Sequence, residues 1–374
     1  MSRFIRHCRG ALRALLISTL LAGSAAAADK VLLVVSSEGR DQGKTRPGFE
    51  MDEFAQAYLI FRDNGWQIDV ASPAGGAVQA DKYDPKETFN ARLLEDAQAQ
   101  RLLQQTLATA QARAADYAAV YVIGGKGAMF DLAQDKALAT LIAAVYQHGG
   151  VVAAVCHGPA ALVDVRLADG SALVAGRRLT GFSNEEEALF GKRWSGSYRF
   201  QLEDALRERG ARWSEAALML PHVVADGRLL TGQNPYSTAA LTEAVITVRG
   251  RKPAARESWR DEATMALVQR LLAGEDAAAR SELAANLARY HVELIGMLGY
   301  YQLKAATDDA AVRNALAIMQ LALPHMPQPQ LTLGLAEAEL RLGRKQRARE
   351  LIDSVLASHP DMAEAKQLLA RIDG

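Results

Sequence analysis

Residues 151–161, which read VVAAVCHGPAA, decide the fold of this 374-residue chain. The unbroken apolar run before Cys156 is typical of a strand buried on both faces of a parallel sheet. The small residues after it predict a tight turn into a helix, which lifts the cysteine out of the sheet beside free backbone amides. Cys156 is therefore a candidate nucleophile, and the amides and helix dipole should make it more thiolate-like. The alternative is a buried cysteine that only packs.

Strand-like and helix-like segments alternate from Lys30 up to this elbow. The alternation predicts an α/β fold with a doubly wound parallel sheet, whose site lies at the carboxyl ends of the strands. The predicted strands span residues 31–36, 67–72, 117–123 and 151–155, and the predicted helices span 50–64, 93–114 and 136–148.

The first 28 residues have the features of a secretory signal peptide. Four arginines and no acidic residue precede an apolar run, residues 14–22, that is too short to span a membrane. A small-residue stretch then ends at Ala28, after which we expect cleavage. The mature protein is then periplasmic, in a Gram-negative source, or secreted. The alternative is an uncleaved anchor or an amphipathic presequence.

Charge and cysteine content limit the partners and the chemistry. The whole chain has 43 basic and 43 acidic residues, and loss of the four leader arginines leaves a net charge of about −4. This balance points neither to nucleic acid nor to an anionic membrane. Cleavage also removes Cys8, so the single remaining thiol, Cys156, has no partner for an internal disulfide. The seven histidines and two cysteines show no metal-ligand spacing.

The chain changes character after Arg251, where strand signals stop and helical spacing of Ala, Leu, Arg and Glu begins. We therefore divide the mature chain into an α/β domain, residues 29–250, and a smaller all-α domain, residues 251–374. Residues 329–362 carry the landmarks of a 34-residue helix–turn–helix repeat and resemble a tetratricopeptide repeat. Two interpretations remain open, a plain helical bundle and a groove for a protein partner.

Four motifs in order resemble the ThiJ/PfpI superfamily of class I glutamine amidotransferase-like folds, most closely its chaperone/glyoxalase III branch. The resemblance covers about residues 30–248 and implies a flavodoxin-like sheet. The motifs are GGKGAMFD at 124–131, CHGP at 156–159, LTGFS at 179–183 and DGRLLTGQNP at 226–235.

The resemblance implies a catalytic set. The family nucleophile falls on Cys156, and its general base or acid falls on His157. The glutamate that hydrogen-bonds the sulfur falls on Glu53. The acidic residue that orients the histidine lies in the run 185–187, where Glu187 matches by its offset from the preceding turn.

The glycine-rich turn Gly124-Gly125-Lys126 is the expected oxyanion and substrate-binding segment, with the amides of Gly125 and His157 as donors. The branch usually carries histidine where Lys126 stands. Lysine is a point cation and a poor proton shuttle at its usual pKa. If Lys126 points into the site, it holds an anionic substrate or stabilises the thiolate; if it points to solvent, it has no role there.

The resemblance implies a glutathione-independent glyoxalase III activity on methylglyoxal and similar 2-oxoaldehydes, with glycation repair by the same first step and no cofactor. It also implies a homodimer. A second interpretation is a cysteine amidase or peptidase of the same fold. A third is a periplasmic chaperone or interaction protein, in which the helices hold a protein partner and the cysteine is sensitive to oxidation.

Overall fold

The computed structural model describes residues 29–191 and 193–373. The predicted signal peptide, which includes Cys8, lies outside the described residues. A seven-stranded sheet has the order β3-β2-β1-β4-β5-β9-β8, and a separate two-stranded sheet pairs β6 with β7. The strands are β1 Lys30–Val34, β2 Gln67–Ser72, β3 Leu107–Ala108, β4 Ala119–Val122, β5 Val151–Val155, β6 Arg178–Leu179, β7 Arg212–Trp213, β8 Val223–Asp226 and β9 Leu229–Gly232.

The main sheet is parallel except at its edge, where β8 runs antiparallel to β9. Strands β4 and β5 are buried over their whole length, as their unbroken apolar sequences predict. The predicted α/β class with a doubly wound sheet is confirmed. The carboxyl ends of β1, β4 and β5 meet at one edge, and Cys156 follows β5 there.

Helices flank the sheet and make up the C-terminal third of the chain. Within the α/β part, α1 and α7 pack against each other, and α4 packs on β4 and β5. The helices are α1 Met51–Asp63, α2 Thr88–Glu95, α3 Ala97–Gln104, α4 Lys136–Gln147, α5 Asn184–Phe190, α6 Leu202–Glu208, α7 Thr238–Val248, α8 Arg260–Leu272, α9 Asp276–Ala285, α10 Val292–Ala305, α11 Asp309–Ala322, α12 Pro329–Arg341, α13 Lys345–Ser358 and α14 Ala363–Asp373.

Two predicted elements differ from the observed ones. The single helix expected over residues 93–114 is wrong. Asp96 has extended backbone and caps a new helix by accepting hydrogen bonds from the amides of Gln98 and Ala99, so α2 ends and α3 begins there. The segment after Cys156 is a short 3-10 helix, Gly158–Leu162, rather than an α-helix.

Helices α8–α14 form the all-α region that the sequence predicted. Their apolar side chains fill two further clusters, and one of these also includes Leu220 from the α/β part of the chain. The side-chain amide of Gln302 donates to the carbonyl of Leu218 at 2.9 Å, and that of Gln56 donates to Asp261 at 3.1 Å, so the two regions are joined by polar contacts. In the part of the chain that the structure describes, we find no helix with the length and apolar character needed to cross a membrane.

Candidate active site

Cys156 lies at a strained elbow. Its φ is +58°, in the left-handed region that residues other than glycine rarely adopt. Two backbone hydrogen bonds hold this conformation: the Cys156 amide donates to the carbonyl of Gly232 at 2.9 Å, and its carbonyl accepts from the amide of Phe182 at 2.8 Å. Strain of this kind persists only where the surroundings enforce it, and it is frequent at active sites.

A chain of hydrogen bonds runs from the cysteine into the protein. The Cys156 sulfur lies 3.3 Å from His157 Nδ1, and His157 Nε2 lies 2.7 Å from Glu187 Oε2. The ring of Phe182 lies 4.3 Å from the imidazole, centroid to centroid. Burial lowers the pKa of His157, while the Glu187 carboxylate acts in the opposite direction. The histidine is therefore neutral at pH 7, with Glu187 placed to select its tautomer.

The three consecutive glutamates have different surroundings. Glu187 is the one that contacts His157. Glu186 is a structural carboxylate, since its oxygens accept hydrogen bonds from the amides of Ser183 and Met219 and from the side chains of two further residues, Gln233 and Asn234. Glu185 is exposed. The assignment to Glu187 by its offset from the preceding turn is therefore the one that the geometry supports.

Glu53 lies on the other side of the cysteine, in the first turn of α1. It is fully buried, its Oε2 accepts a hydrogen bond from the amide of Gly124 at 2.6 Å, and its Oε1 has no hydrogen-bond partner among the described residues. Burial raises the pKa of Glu53 well above its usual range. Burial therefore favours the protonated form of this carboxyl, next to the Cys156 thiol.

The resting thiol is not the thiolate that the sequence led us to expect. Burial raises the pKa of Cys156 well above its usual range, and the Glu53 carboxyl beside it acts in the same direction. The amide of Gly125 acts in the opposite direction. The expectation was wrong because the following helix is a five-residue 3-10 turn with little dipole, and because the site is nearly closed to water.

The glycine-rich turn packs directly on these groups. A Cβ on Gly124 would lie 2.8 Å from Cys156 Cβ and 2.9 Å from Glu53 Oε2, so only glycine fits there. Gly125 has φ +92°, and its amide lowers the pKa of the Cys156 thiol. Lys126 is half-buried, and its charge lowers the pKa of His157. The structure thus brings all the predicted site residues together; their chemical roles stay predictions.

Two neighbours of the site were missed. Burial raises the pKa of Glu50, the residue before α1, to about 8, and its charge acts on both Glu53 and Cys156. The Tyr198 hydroxyl is buried beside Glu187 without a hydrogen bond of good geometry, and its ring lies 6.3 Å from that of His157. The three acidic residues within positions 50–53 were a sequence signal for Glu50. No sequence signal marked Tyr198.

Within residues 29–191 and 193–373, no three or more His, Cys, Asp or Glu side chains are grouped so that they could hold a metal ion. The groups around Cys156 are instead suited to addition of a thiol to a carbonyl and to proton transfer.

Comparison with known proteins finds relatives that are named glutathione-independent glyoxalases. The chain is 30% identical over 246 residues to the glutathione-independent glyoxalase hsp3101 of Schizosaccharomyces pombe, covering 59% of this chain and 95% of that protein. It is 29% identical over 223 residues to the glutathione-independent glyoxalase HSP31 of Saccharomyces cerevisiae, covering 56% and 92%. The crystal structure of glyoxalase III from Candida albicans matches with a TM-score of 0.54 at 27% identity, covering 59% and 97%.

The two parts of the chain match different families. Residues 329–372 match the tetratricopeptide repeat, ten residues beyond the end of the predicted repeat. Residues 45–248 match the DJ-1/PfpI family and include every residue of the predicted site. The chain therefore belongs to the DJ-1/PfpI family, as its motifs indicated, and carries a tetratricopeptide-type helical extension.

Proposed function

We propose that this protein is a glutathione-independent glyoxalase that converts methylglyoxal and similar 2-oxoaldehydes to 2-hydroxy acids. The observation that carries the proposal is a buried thiol flanked by a histidine–carboxylate pair on one side and a protonated carboxyl on the other. The names of the relatives in two yeasts and in C. albicans support the same activity.

In the first step the Cys156 sulfur attacks the aldehyde carbon, and His157 takes the thiol proton as the C–S bond forms. Glu187 stabilises the imidazolium that results. The imidazolium then returns this proton to the aldehyde oxygen, which becomes the hydroxyl of a hemithioacetal next to the amide of Gly125, and His157 is neutral again. Because the high pKa of the thiol makes the free thiolate rare, attack and proton transfer are expected to occur together.

In the second step a proton moves from the former aldehyde carbon to the neighbouring ketone carbon through an enediol, while the hydroxyl proton of the first carbon passes to the ketone oxygen. His157 or the Glu53 carboxyl, one on each side of the sulfur, carries the proton between the two carbons. The first carbon is thereby oxidised to a thioester and the second is reduced to an alcohol, so no external oxidant is needed. Water then cleaves the C–S bond, which restores the thiol and releases the 2-hydroxy acid.

Access to the thiol favours a small substrate over a peptide. Cys156 is 4% exposed and His157 is 1% exposed, so an extended peptide has no room to reach the sulfur without movement of the surrounding loops. The amidase or peptidase alternative is therefore the weaker one. Glycation repair remains part of the proposal for small aldehyde adducts, because it uses the same attack on carbon.

The test is to give the protein methylglyoxal without glutathione and to follow aldehyde loss and lactate formation together. The Cys156→Ala variant should form no lactate. Cys8→Ala, which removes the other cysteine of the chain, should behave as wild type. Aldehyde loss without lactate would mean simple adduct formation, and no consumption by the wild type would refute the glyoxalase proposal.

We also propose that the protein is exported after cleavage behind Ala28, on the basis of its leader sequence alone. Fractionation of expressing cells and the intact mass of the product test this. A product that keeps residues 1–28 in the cytosol would refute it. The homodimer implied by the family resemblance stays a prediction, which sedimentation of the purified protein tests.

A second, protein-binding role is supported by the tetratricopeptide match. A groove of about 570 Å³ lies between α10, α12 and α14, with Tyr300 and Leu333 in its apolar lining and the exposed Lys304 and Gln367 at its edge. If this groove holds a protein partner, Lys304→Glu with Gln367→Glu should abolish capture of that partner and leave lactate formation unchanged. Equal capture by this variant would refute the role of the groove.

A further inference from the structure

Gly191 ends α5, one turn after Glu187, and its backbone does not require a glycine. Its φ is −64° and its ψ is −29°, which is ordinary right-handed helical geometry that any residue adopts. Its amide donates to the carbonyl of Glu187 at 2.8 Å, as in a regular helix. Glycine is a poor helix former, so its presence here needs another reason.

The space around Gly191 supplies that reason. A Cβ built on this residue would lie 2.1 Å from Glu187 Oε1, closer than any real contact of a Cβ atom. It would also lie 2.6 Å from the Glu187 carbonyl oxygen and 2.8 Å from Ser195 Cβ. The carboxylate of Glu187 therefore occupies the place that a side chain at position 191 would fill.

The same carboxylate holds the catalytic histidine. Its other oxygen, Oε2, lies 2.7 Å from His157 Nε2, and Glu187 is 6% exposed. The two oxygens move as one rigid group, so a shift of Oε1 by an ångström or more carries Oε2 away from the imidazole. A cavity of about 270 Å³ borders Glu187, so the displaced group has somewhere to go.

We propose that Gly191 is a positioning residue of this active site: the absence of its side chain lets the Glu187 carboxylate lie where it orients His157. The proposal adds a residue to the site of the proposed function. Only the expected fall in kcat/KM for methylglyoxal rests on that function. The geometric part concerns the reactivity of Cys156 and can be measured without any substrate.

The experiment is a double-mutant cycle of Gly191→Ala and Glu187→Ala in the full chain, with Cys8→Ala present throughout so that Cys156 is the only thiol. The readouts are the rate of Cys156 alkylation by iodoacetamide between pH 5 and 10 and kcat/KM for methylglyoxal. Gly191→Ala should lower the neutral-pH alkylation rate and kcat/KM by about 100-fold, the usual range for loss of general-base assistance. Its pH profile should match that of Glu187→Ala.

The double variant shows whether the effect of Gly191→Ala acts through the Glu187 carboxylate or through the other atoms near residue 191. Alanine at 187 leaves no carboxylate to displace, so adding Gly191→Ala to Glu187→Ala should not lower the alkylation rate or kcat/KM further. Gly196→Ala is the matched control, because a Cβ there would have no neighbour within 4 Å, and it should behave as wild type.

Three results would overturn the proposal. The first is wild-type alkylation by Gly191→Ala. The second is a double variant slower than Glu187→Ala, since the loss would then come from the carbonyl or Ser195. The third applies if Gly191→Ala alone does not fold. The double variant should then fold and match Glu187→Ala, and a double variant that also fails to fold would overturn the proposal. A wild type that alkylates normally but makes no lactate would refute the glyoxalase function and leave this test intact.

Discussion

The carboxyl edge of the sheet and the C-terminal helices are built by opposite rules. At the sheet edge a cysteine with φ +58° is surrounded by three ionisable side chains that are almost fully buried: Glu53, His157 and Glu187. Helices α8–α14 bury two apolar clusters around regular backbone. Throughout the described ranges, the non-glycine residues with positive φ all precede α8: Asp41, Gln42, Cys156 and Met219.

The difference shows where this protein gives up stability for chemistry. Backbone strain and buried ionisable groups each cost free energy of folding, and they are concentrated at functional sites. Apolar packing in α8–α14 contributes stability without such costs. Substitutions at the sheet edge should therefore change activity with little loss of stability, and substitutions among the helices should do the reverse.

The largest expected effect is that of Glu187→Gln. The amide keeps the volume of the side chain but cannot stabilise the His157 imidazolium, so kcat/KM for methylglyoxal should fall about 10²–10⁴-fold. The thermal midpoint should stay near that of the wild type. Glu185→Gln, on the exposed neighbour two residues away, is the control and should keep full activity. Equal loss in both variants would mean that the carboxylates act through general charge rather than through His157.

The converse case is Ile352→Ala, in the apolar cluster of α12–α14. Ile352 is fully buried, so its truncation should lower the free energy of unfolding by about 2–5 kcal/mol. Where the protein remains folded, kcat/KM should not change. Urea unfolding and lactate kinetics at 25 °C measure the two quantities, with the exposed Lys366→Ala as control. A parallel fall in kcat/KM of the folded variant would show that the helices shape the active site.

A smaller effect is expected from Glu50→Gln, and it depends on pH. Because burial raises the pKa of Glu50 from 4.5 to about 8, the folded protein keeps a proton that the unfolded chain has lost between these values. The stability from this group is complete below pH 4.5, falls as the pH rises, and is lost above about 8.

Glutamine removes this dependence. The free energy of unfolding of Glu50→Gln relative to wild type should therefore be higher at pH 8 than at pH 5, by at least about 1 kcal/mol, roughly the equivalent of one pKa unit. Urea unfolding at the two pH values measures the difference, and Glu364→Gln in the exposed start of α14 is the control. Equal differences at the two pH values would mean that Glu50 is already ionised in the folded protein.

The smallest effect is expected from Tyr198→Phe. Its hydroxyl is buried beside Glu187 without a hydrogen bond of good geometry, so removing it should raise stability slightly or leave it unchanged, within about 1 kcal/mol. Because Glu187 keeps its contact with His157, kcat/KM should fall only a few-fold. A loss near 100-fold would place Tyr198 among the residues that contact the substrate.

The sheet was predictable because its strands are unbroken apolar runs, a pattern that only burial on two faces explains. β5 and β2 have the predicted bounds. The helix over 93–114 was not predictable in the same way, because Asp96 lies within a sequence of good helix formers. The Asp96 side chain competes for the backbone amides. The tertiary position of α3 decides that Asp96 caps a new helix rather than continuing α2.

The candidate site was predictable where motifs pointed to it, at Cys156, His157, Glu53 and the turn 124–126. Its electrostatics were not. The raised pKa of the thiol depends on how completely the loops exclude water, and the separate roles of the three glutamates 185–187 depend on which neighbours each one meets. Both are properties of packing, which a linear pattern does not contain.

The sequence by itself determined the order of strands and helices, the position of the cysteine at a strand end, and the change to an all-helical region after residue 250. These follow from local periodicity and from chain connectivity, which act over a few residues at a time. Only the tertiary structure decided that Glu187 rather than Glu185 or Glu186 meets His157, that Cys156 is protonated at rest, and that Gly191 leaves room for a carboxylate. Those outcomes depend on distances between segments far apart in the chain and on the exclusion of water around them.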